Sequence, residues 1–367
     1  MASSLSKQKV AVGLSGGVDS TAAALLLKRD GYEVFGVHLD VLGNNEDSKN
    51  NATELAKTLG IDLICVDASK DFTEIVISDF CNEYMQGRTP NPCILCNPTV
   101  KFKYLQNVAD EVGAYYLATG HYANVVYDET ENCHFVNKAT NLQKDQSYML
   151  YRLNMDVLSR LKFPLGNFES KEEVRNFVAE KGLTNARQKD SQEICFIPQD
   201  MHYIDFLLSR GYKINEGQFI NSAGEKLGTH KGVPNYTIGQ RKNLGITFGK
   251  PMFVVNLDGT TNQVTLGEHD ELMQNQVVSV SNCFTIAPNN DNCNVHKNNF
   301  TIPKEYDGKK IQAKVRYAAM PTEAIIKYID DDTVCTIFSN PQRAITPGQS
   351  IVFYDGDKVI GGGIINE

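Results

Sequence analysis

Short apolar runs alternate with amphipathic stretches over the first part of the chain. The runs of strand length are residues 10–14, 33–39, 62–66 and 115–118. The stretches whose apolar residues recur at helical spacing are residues 21–29, 51–59, 71–84 and 101–112. Strands separated by helices indicate βαβ crossovers. The expected fold class is therefore α/β, with a doubly wound parallel sheet.

The pattern changes after about residue 205. Glycine-rich turns separate short strand-like runs from residue 211 onward, and later β-rich runs alternate with turn dipeptides such as Pro347-Gly348. This pattern is typical of a small antiparallel barrel or sandwich. A nominal ~150 residues per domain allows roughly two to three domains in this chain. We expect an α/β domain at residues 1–205, a small β-rich adaptor at 206–272 and an antiparallel β-barrel at 273–367.

Composition places the chain among ordinary globular proteins, with 41% hydrophobic and 22% charged residues. No apolar stretch approaches the ~18 residues of a membrane span, and residues 1–9 lack the apolar core of a secretory signal. The nine cysteines are an odd and unevenly spaced set, unlike a disulfide framework. We therefore expect a cytoplasmic protein with reduced thiols and no membrane partner.

The net charge of the chain is −8 at pH 7. This acidic balance argues against a nonspecific coat for nucleic acids, which needs a basic excess. It remains compatible with an enzyme that gathers Lys and Arg on one face.

Residues 15–20, Ser-Gly-Gly-Val-Asp-Ser, lie between the first predicted strand and the first predicted helix. Glycines at such a turn allow backbone N–H groups to surround an anion, and the helix N-terminus favours negative charge. The spacing fits neither a Walker loop nor a dinucleotide fingerprint. Asp19 offers a carboxylate for Mg²⁺ or for capping the helix. The alternative interpretation is an ordinary strand–turn–helix joint.

This loop resembles the pyrophosphate loop of the ATP pyrophosphatases, which cleave ATP between its α and β phosphates and adenylylate a substrate oxygen. The resemblance at this level implies ATP chemistry and leaves the acceptor open. The activities compatible with this loop are the synthesis of GMP, NAD or argininosuccinate, the formation of lysidine in tRNA, and the thiolation of tRNA.

Cysteines distinguish among these activities. Residues 87–97, Gly-Arg-Thr-Pro-Asn-Pro-Cys-Ile-Leu-Cys-Asn, contain two prolines that predict an ordered loop carrying Cys93 and Cys96. A structural zinc half-site and inert thiols are alternatives, but the chain has no second C-x-x-C or paired His to complete a zinc site. Cys195, between Ile194 and Phe196, would on its own be more typical of a core thiol.

Taken together, the motifs resemble the tRNA-specific 2-thiouridylases over nearly the whole chain. The matching motifs are residues 15–20, 87–92 with 95–97, 118–122, 144–146, 190–191 with 194–196, 236–241, 316–317 and 346–349. Members of that family replace the O2 of the wobble uridine of tRNA by sulfur. The resemblance implies a pyrophosphate-loop ATP-binding catalytic domain at residues 1–205 and a tRNA-contacting barrel at 273–367.

The resemblance also implies roles for individual residues. It makes Cys96 the nucleophilic cysteine and Cys195 the persulfide carrier. The implied ATP site is Gly13, Leu14, Ser15, Gly16, Gly17, Val18, Asp19, Ser20, Leu39 and Gly120. Positions implied to contact tRNA are Asn91, Pro92 and Cys93 around the target base, with His121, Lys144, Asp145, Gln146, Arg316, Tyr317 and Gln349. The expected cofactors are ATP and Mg²⁺, and the expected partners are tRNAs for Lys, Glu and Gln and a sulfur-donor protein or cysteine desulfurase relay.

One position departs from the family's common form. Three residues before Cys96, where the family commonly has Asp, this chain has Cys93. A thiol does not replace a carboxylate's charge at neutral pH, so a proton-transfer role at that position is in doubt. The three thiols Cys93, Cys96 and Cys195 also suggest an alternative route, a [4Fe–4S] cluster whose open iron would deliver hydrosulfide.

Two rival functions are also compatible with the sequence. One is a thiolase of the same superfamily acting on another base or a small molecule, although the β-rich last third favours tRNA. The other is an RNA-binding module with a degenerate nucleotide site, against which the intact loop and both cysteines argue.

Overall fold

The computed structural model of the chain describes residues 8–43, 46–183, 194–285 and 303–366. These residues form three sheets, of five, four and eight strands. No helix within the described ranges is long and apolar enough to cross a membrane.

The first part of the chain alternates strands and helices as predicted. Its strands are β1 (Lys9–Gly13), β2 (Glu33–Asp40), β3 (Asp62–Asp67), β4 (Tyr116–Ala118), β5 (Asn124–Asp128), β6 (Cys133–Asn137) and β7 (Leu161–Lys162). The helices of the described chain are α1 (Val18–Arg29), α2 (Glu46–Leu59), α3 (Ser69–Asp71), α4 (Ser78–Met85), α5 (Pro92–Cys96), α6 (Phe102–Glu111), α7 (Met155–Leu158), α8 (Lys171–Glu180) and α9 (Tyr203–Ser209). Two π-helical segments continue these helices, Phe72–Ile77 and Asn97–Lys101, and short 3₁₀ turns cover Ser147–Leu150, Val233–Asn235, His269–Leu272 and Lys304–Tyr306.

The five-stranded sheet has the order β3-β2-β1-β4-β7. Its strands pair in parallel, with Lys9 opposite Glu33 on one side of β1 and Val10 opposite Tyr116 on the other. The central strand is completely buried at Val10, Ala11 and Val12 because helices cover both faces. The predicted α/β class with a doubly wound parallel sheet is confirmed.

The hairpin of β5 and β6 does not belong to this sheet. Asn137 at the end of β6 pairs with Lys358 in the last strand of the chain. Cys133 and Phe135 are buried in the core of the C-terminal sheet, and the Lys358 ammonium lies 2.8 Å from the Asp128 carboxylate. The hairpin therefore joins the α/β part of the chain to its C-terminal part, a contact that the sequence did not predict.

The remaining strands form two β-rich units. The four-stranded sheet has the order β10-β11-β8-β9 and consists of β8 (Gly217–Asn221), β9 (Lys226–His230), β10 (Phe253–Asp258) and β11 (Gln263–Gly267). The last unit consists of β12 (Met273–Phe284), β13 (Lys310–Lys314), β14 (Thr322–Tyr328), β15 (Val334–Arg343), β16 (Ser350–Asp355) and β17 (Lys358–Ile365). Pairing of β12 with both β15 and β17 closes these strands into an antiparallel barrel. The predicted barrel is confirmed, whereas the boundaries at residues 205 and 272 stay predictions.

The segment after α4 contacts both β-rich units. Gly87 has a φ of +81°, and a Cβ there would lie 2.9 Å from Val233 and 3.0 Å from Leu257 of the four-stranded unit. The Thr89 amide donates to the Pro347 carbonyl of the barrel at 2.8 Å. Arg88 forms an ion pair with Glu83 at 2.7 Å. These contacts fix the position of residues 87–89, which lead into the segment that carries Cys93 and Cys96.

Candidate active site

The loop of residues 15–20 connects β1 to α1 at the carboxyl end of the parallel sheet. Gly16 has a φ of +82°, which a residue with a side chain rarely adopts. The Ser20 hydroxyl accepts from the Ser15 amide at 3.3 Å and donates to the Gly17 carbonyl at 3.0 Å. Gly17 caps α1 without a side-chain hydrogen bond. An anion at this helix N-terminus would meet backbone N–H groups and a favourable dipole.

The segment after β4 packs directly on this loop. A Cβ on Gly120 would lie 2.7 Å from the Asp19 carbonyl carbon and 2.8 Å from the Ser20 amide nitrogen. β4 is the parallel neighbour of β1, so the two carboxyl ends meet at one edge of the sheet. Leu39 near the end of β2 completes the set of predicted ATP-site residues at this edge. This is the edge where open α/β sheets bind ligands.

The Asp19 carboxylate has two partners beyond the loop. The Tyr122 hydroxyl donates to its Oδ1 at 2.8 Å. The Lys171 ammonium, on the first residue of α8, lies 2.6 Å from Oδ1 and 2.5 Å from Oδ2. Neither Lys171 nor a role for Tyr122 was predicted from the sequence.

A single carboxylate at this place suits Mg²⁺ that enters with a nucleotide, because that ion takes most of its ligands from phosphates and water. Asp19 therefore fits the expected Mg²⁺. Among the described residues, no group of three or more His, Cys, Asp or Glu side chains is placed to hold a metal ion. The arrangement of Cys93, Cys96 and Cys195 accordingly does not present the ligand set of the [4Fe–4S] alternative.

The cysteine-bearing segment is helical from Pro92 onward, so the prediction of a loop is wrong for residues 92–97. Asn91 caps α5 by accepting from the Cys93 amide at 3.2 Å, and Pro92 occupies the first turn, where its missing N–H costs nothing. The helix continues without a break into the π-helical turn Asn97–Lys101. Asn97 holds that turn by donating to the Met149 carbonyl at 2.9 Å.

The three thiols of interest differ in their exposure to solvent. Cys93 and Cys195 are exposed, Cys96 is half-buried, and every described cysteine is free of a disulfide. The neighbouring Phe196 is buried against Phe72 and Phe80. Cys195 is therefore not the core thiol that its apolar neighbours would suggest in isolation.

The three thiols are close enough to influence one another's ionisation. Surrounding protein atoms desolvate the Cys195 sulfur and raise its pKa to about 11, with further contributions from Cys93 and Cys96. Burial also raises the pKa of Cys96, and Cys93 adds to that rise. Both thiols are consequently protonated at neutral pH, although transfer of sulfur between cysteines requires a thiolate.

Lys101 opposes this effect at both thiols. Its charge lowers the pKa of Cys96 and of Cys195, and its backbone amide donates to the Cys96 sulfur. The π-helical turn places residue 101 above residue 96, because the repeat of that helix is i to i+5. Lys101 also acts on His121, whose pKa lies well below its usual value through burial first and the lysine charge second.

The residues predicted to contact tRNA occupy different environments. Asp145 is buried and accepts from the Ala139 amide at 2.9 Å and the Ser147 hydroxyl at 2.7 Å. Gln146 accepts from the Tyr122 amide at 3.0 Å. Lys144 is half-buried. In the described structure, Asp145 and Gln146 thus shape the turn that carries Lys144.

The barrel supplies the other predicted contacts. Arg316 is exposed and Tyr317 half-buried, and the Tyr317 ring lies 6.1 Å from that of Tyr148. Asp145 raises the pKa of Tyr317 after burial does so, so residues 144–146 and 316–317 lie close together. Gln349 instead donates to the Thr89 carbonyl at 2.6 Å, between the barrel and the cysteine segment. The assignment of all these residues to tRNA stays a prediction.

Comparisons with known proteins decide the family. Three family models match the chain, described as the tRNA methyl transferase HUP domain at residues 8–199, the tRNA methyl transferase PRC-barrel domain at 204–268 and the Aminomethyltransferase beta-barrel domain at 290–365. The tRNA-specific 2-thiouridylase MnmA 1 of Caldanaerobacter subterraneus subsp. tengcongensis is 43% identical, covering 98% of each chain. The MnmA of Acetivibrio thermocellus is 41% identical, covering 98% of this chain and all of that one. The chain belongs to the tRNA-specific 2-thiouridylase family.

One solved structure with a likeness to the chain is the NMN synthetase from Francisella tularensis. It has a TM-score of 0.33 and 18% identity, covering 51% of this chain and 67% of that one. A likeness at this level adds nothing to the assignment to the 2-thiouridylase family.

In this member of the 2-thiouridylase family, sequence reasoning missed the two lysines next to the predicted site. Lys171 lies 152 residues from Asp19, and only the packing of α8 on α1 brings them together. Lys101 is close to Cys96 in sequence, but no sequence pattern marks the π-helical turn that stacks them.

Lys101→Met is expected to raise the pKa of both Cys96 and Cys195, because it removes the cation that stabilises their thiolates. Alkylation by iodoacetamide, followed by peptide mass spectrometry from pH 6 to pH 11, would show titrations shifted to higher pH and rates at pH 8 lowered by at least about fivefold. Lys101→Arg keeps the charge and should restore most of the rate.

The matched control for that variant is Lys103→Met. Lys103 lies two residues further along, in α6, and its ammonium pairs with the Asp71 carboxylate at 2.8 Å. Its loss should therefore leave the titrations of Cys96 and Cys195 unchanged. Equal titration curves for Lys101→Met and the wild type would contradict the role given to Lys101.

Proposed function

We propose that the chain catalyses the ATP-dependent 2-thiolation of the wobble uridine of tRNA. The observation that carries the proposal is the path from the cysteine segment to the loop of residues 15–20. The helix that bears Cys96 continues to Phe102, whose ring stacks on that of His121 at 6.0 Å. His121 follows Gly120, which packs on that loop. Thiols held on a segment that reaches a loop able to bind ATP would supply the proximity that such a reaction requires. Relatives named tRNA-specific 2-thiouridylase, which match 97% or more of this chain, support the same activity.

The first step is activation of the base. A uracil O2 is a poor leaving group, so its attack on the α phosphate of ATP turns it into an AMP ester and releases pyrophosphate. The amides of residues 15–20 and the N-terminus of α1 would hold the phosphates. Mg²⁺, when bound, supplies charge neutralisation of the phosphates, and Asp19 is the residue that would hold it.

The second step moves sulfur. A donor protein leaves a sulfane sulfur on Cys195 as a persulfide. The Cys96 thiolate attacks the inner sulfur, so that a Cys96–Cys195 disulfide forms and hydrosulfide leaves. Hydrosulfide adds to C2 of the uracil, and AMP departs with the former O2. Two electrons and two protons from an external dithiol then reduce the disulfide for the next turnover.

This scheme needs only two of the three thiols. Cys93 is exposed and carries no carboxylate charge, so we assign it no proton-transfer role. We expect the family's usual substrates, tRNAs for Lys, Glu and Gln, and a cysteine desulfurase relay as the donor.

Mass spectrometry of nucleosides tests this proposal. An unmodified tRNA transcript for Glu would be incubated with the protein, ATP, Mg²⁺, a cysteine desulfurase and isotopically labelled cysteine. A labelled 2-thiouridine at the wobble position is expected, and its absence is expected when ATP is omitted or when cytidine replaces the wobble uridine.

The other outcomes favour the rivals. A label on another base or a small molecule would indicate a different thiolase of the superfamily. Retained tRNA binding without any AMP formation would indicate an RNA-binding module. Either result contradicts the proposal.

A further inference from the structure

The ion pair between Lys171 and Asp19 joins the first turns of two helices, and only the carboxylate is favoured by the dipole of its own helix. Asp19 lies in the first turn of α1, where a carboxylate interacts favourably with the helix dipole. Lys171 lies in the first turn of α8, where the dipole disfavours a cation. The stability of α8 therefore does not account for a lysine at this position, and its contact with the loop does.

The ammonium is held in place rather than loosely attached. The side chain of Lys171 is only 12% exposed and that of Asp19 33%. Val174 and Val178 of α8 are completely buried in one cluster with Val18 of α1, so the two helices are fixed against each other. The Lys171 ammonium also lies 5.6 Å from the centroid of the Tyr122 ring, within the range of a cation–π contact.

The carboxylate of Asp19 creates a conflict at the loop. The amides around Gly16 and Gly17 favour an anion, but a negative charge two residues later repels a phosphate chain. Lys171 cancels that charge. An ammonium donates in flexible directions, so it is able to exchange a carboxylate oxygen for a phosphate oxygen without moving its helix.

We infer that Lys171 is a pyrophosphate-binding residue, which neutralises Asp19 in the nucleotide-free protein and donates to the β and γ phosphates of ATP when the nucleotide enters. This inference rests on the proposed use of ATP. The same contact would stabilise pyrophosphate as it leaves, because the charge on its oxygens increases when the bond to the α phosphate breaks.

Binding of inorganic pyrophosphate, measured by isothermal titration calorimetry in EDTA, tests the inference without turnover and without metal. Lys171→Met is expected to weaken binding by about tenfold or more, as for loss of a buried charge-assisted contact. Lys171→Arg should bind within about threefold of the wild type, since it retains the cation. Asp19→Asn should bind pyrophosphate at least as tightly as the wild type, because it removes the repelling charge and releases Lys171.

The matched control is Lys181→Met, which makes the same change of net charge at the exposed far end of α8 and should leave binding within about twofold of the wild type. Lys171→Gln serves as a second neutral variant if Lys171→Met unfolds, as judged from its thermal midpoint. Binding by a folded neutral variant within twofold of the wild type overturns the inference, and so does a wild type that binds no pyrophosphate.

Failure of this inference is distinguishable from failure of the proposed function. A wild type that thiolates tRNA, combined with unchanged pyrophosphate binding by Lys171→Met, removes only the role of Lys171. A wild type that binds pyrophosphate through Lys171 but forms no thiouridine removes only the assignment of the acceptor.

Discussion

Cys195→Ser is expected to lower tRNA thiolation by on the order of 1,000-fold or more, as for loss of an essential nucleophile, while ATP-dependent AMP formation on tRNA continues. A serine hydroxyl cannot carry a sulfane sulfur. Cys96→Ser should be equally inactive for a different reason, because its Cys195 accepts sulfur and no thiolate releases it. Labelled sulfur on each protein, measured by mass spectrometry of peptides, separates the two variants.

The control for this pair is Cys65→Ser. Cys65 is an exposed thiol on β3 of the parallel sheet, so its loss changes the thiol count without touching the proposed pair. It should thiolate tRNA at the wild-type rate. Persulfide sulfur found on Cys93 in the wild type, or full activity of Cys195→Ser with the same donor, would contradict the assignment of roles.

The parallel sheet was predictable from the sequence because its strands are apolar and separated by turns and amphipathic helices. The hairpin of β5 and β6 was not, since its partner strand is more than 200 residues away. Val126 and Tyr127 are exposed, while Phe135 is buried in the barrel core. That pattern predicts a half-buried hairpin, but it does not indicate which sheet the hairpin joins.

The candidate site likewise contains some features that the sequence predicted and others that it did not. Residues 15–20 are adjacent in sequence, so the shape of the loop follows from local turn chemistry. The prolines at 90 and 92 suggested a loop, yet Pro92 begins a helix because Asn91 caps it. The contact of Lys171 with Asp19 was not predictable, because it depends on how α8 packs against α1.

Gly120→Ala is expected to lower ATP-dependent pyrophosphate release by roughly 100-fold, the order of loss that a displacement of about 1 Å produces in a reacting group. The added methyl would lie 2.7 Å from the Asp19 carbonyl carbon and 2.8 Å from the Ser20 amide nitrogen. Both neighbours are backbone atoms, so relief requires the loop of residues 15–20 itself to move.

Transfer of labelled sulfur to Cys195 reports whether the Gly120→Ala protein is otherwise intact, because that step needs no nucleotide and should proceed at the wild-type rate. Gly249→Ala is the matched substitution, since a Cβ at Gly249 meets no atom within 4 Å, and it should leave both steps unchanged. If Gly120→Ala releases pyrophosphate as fast as Gly249→Ala, the loop tolerates the methyl group. Close packing of the segment after β4 would then not be what holds residues 15–20 in position.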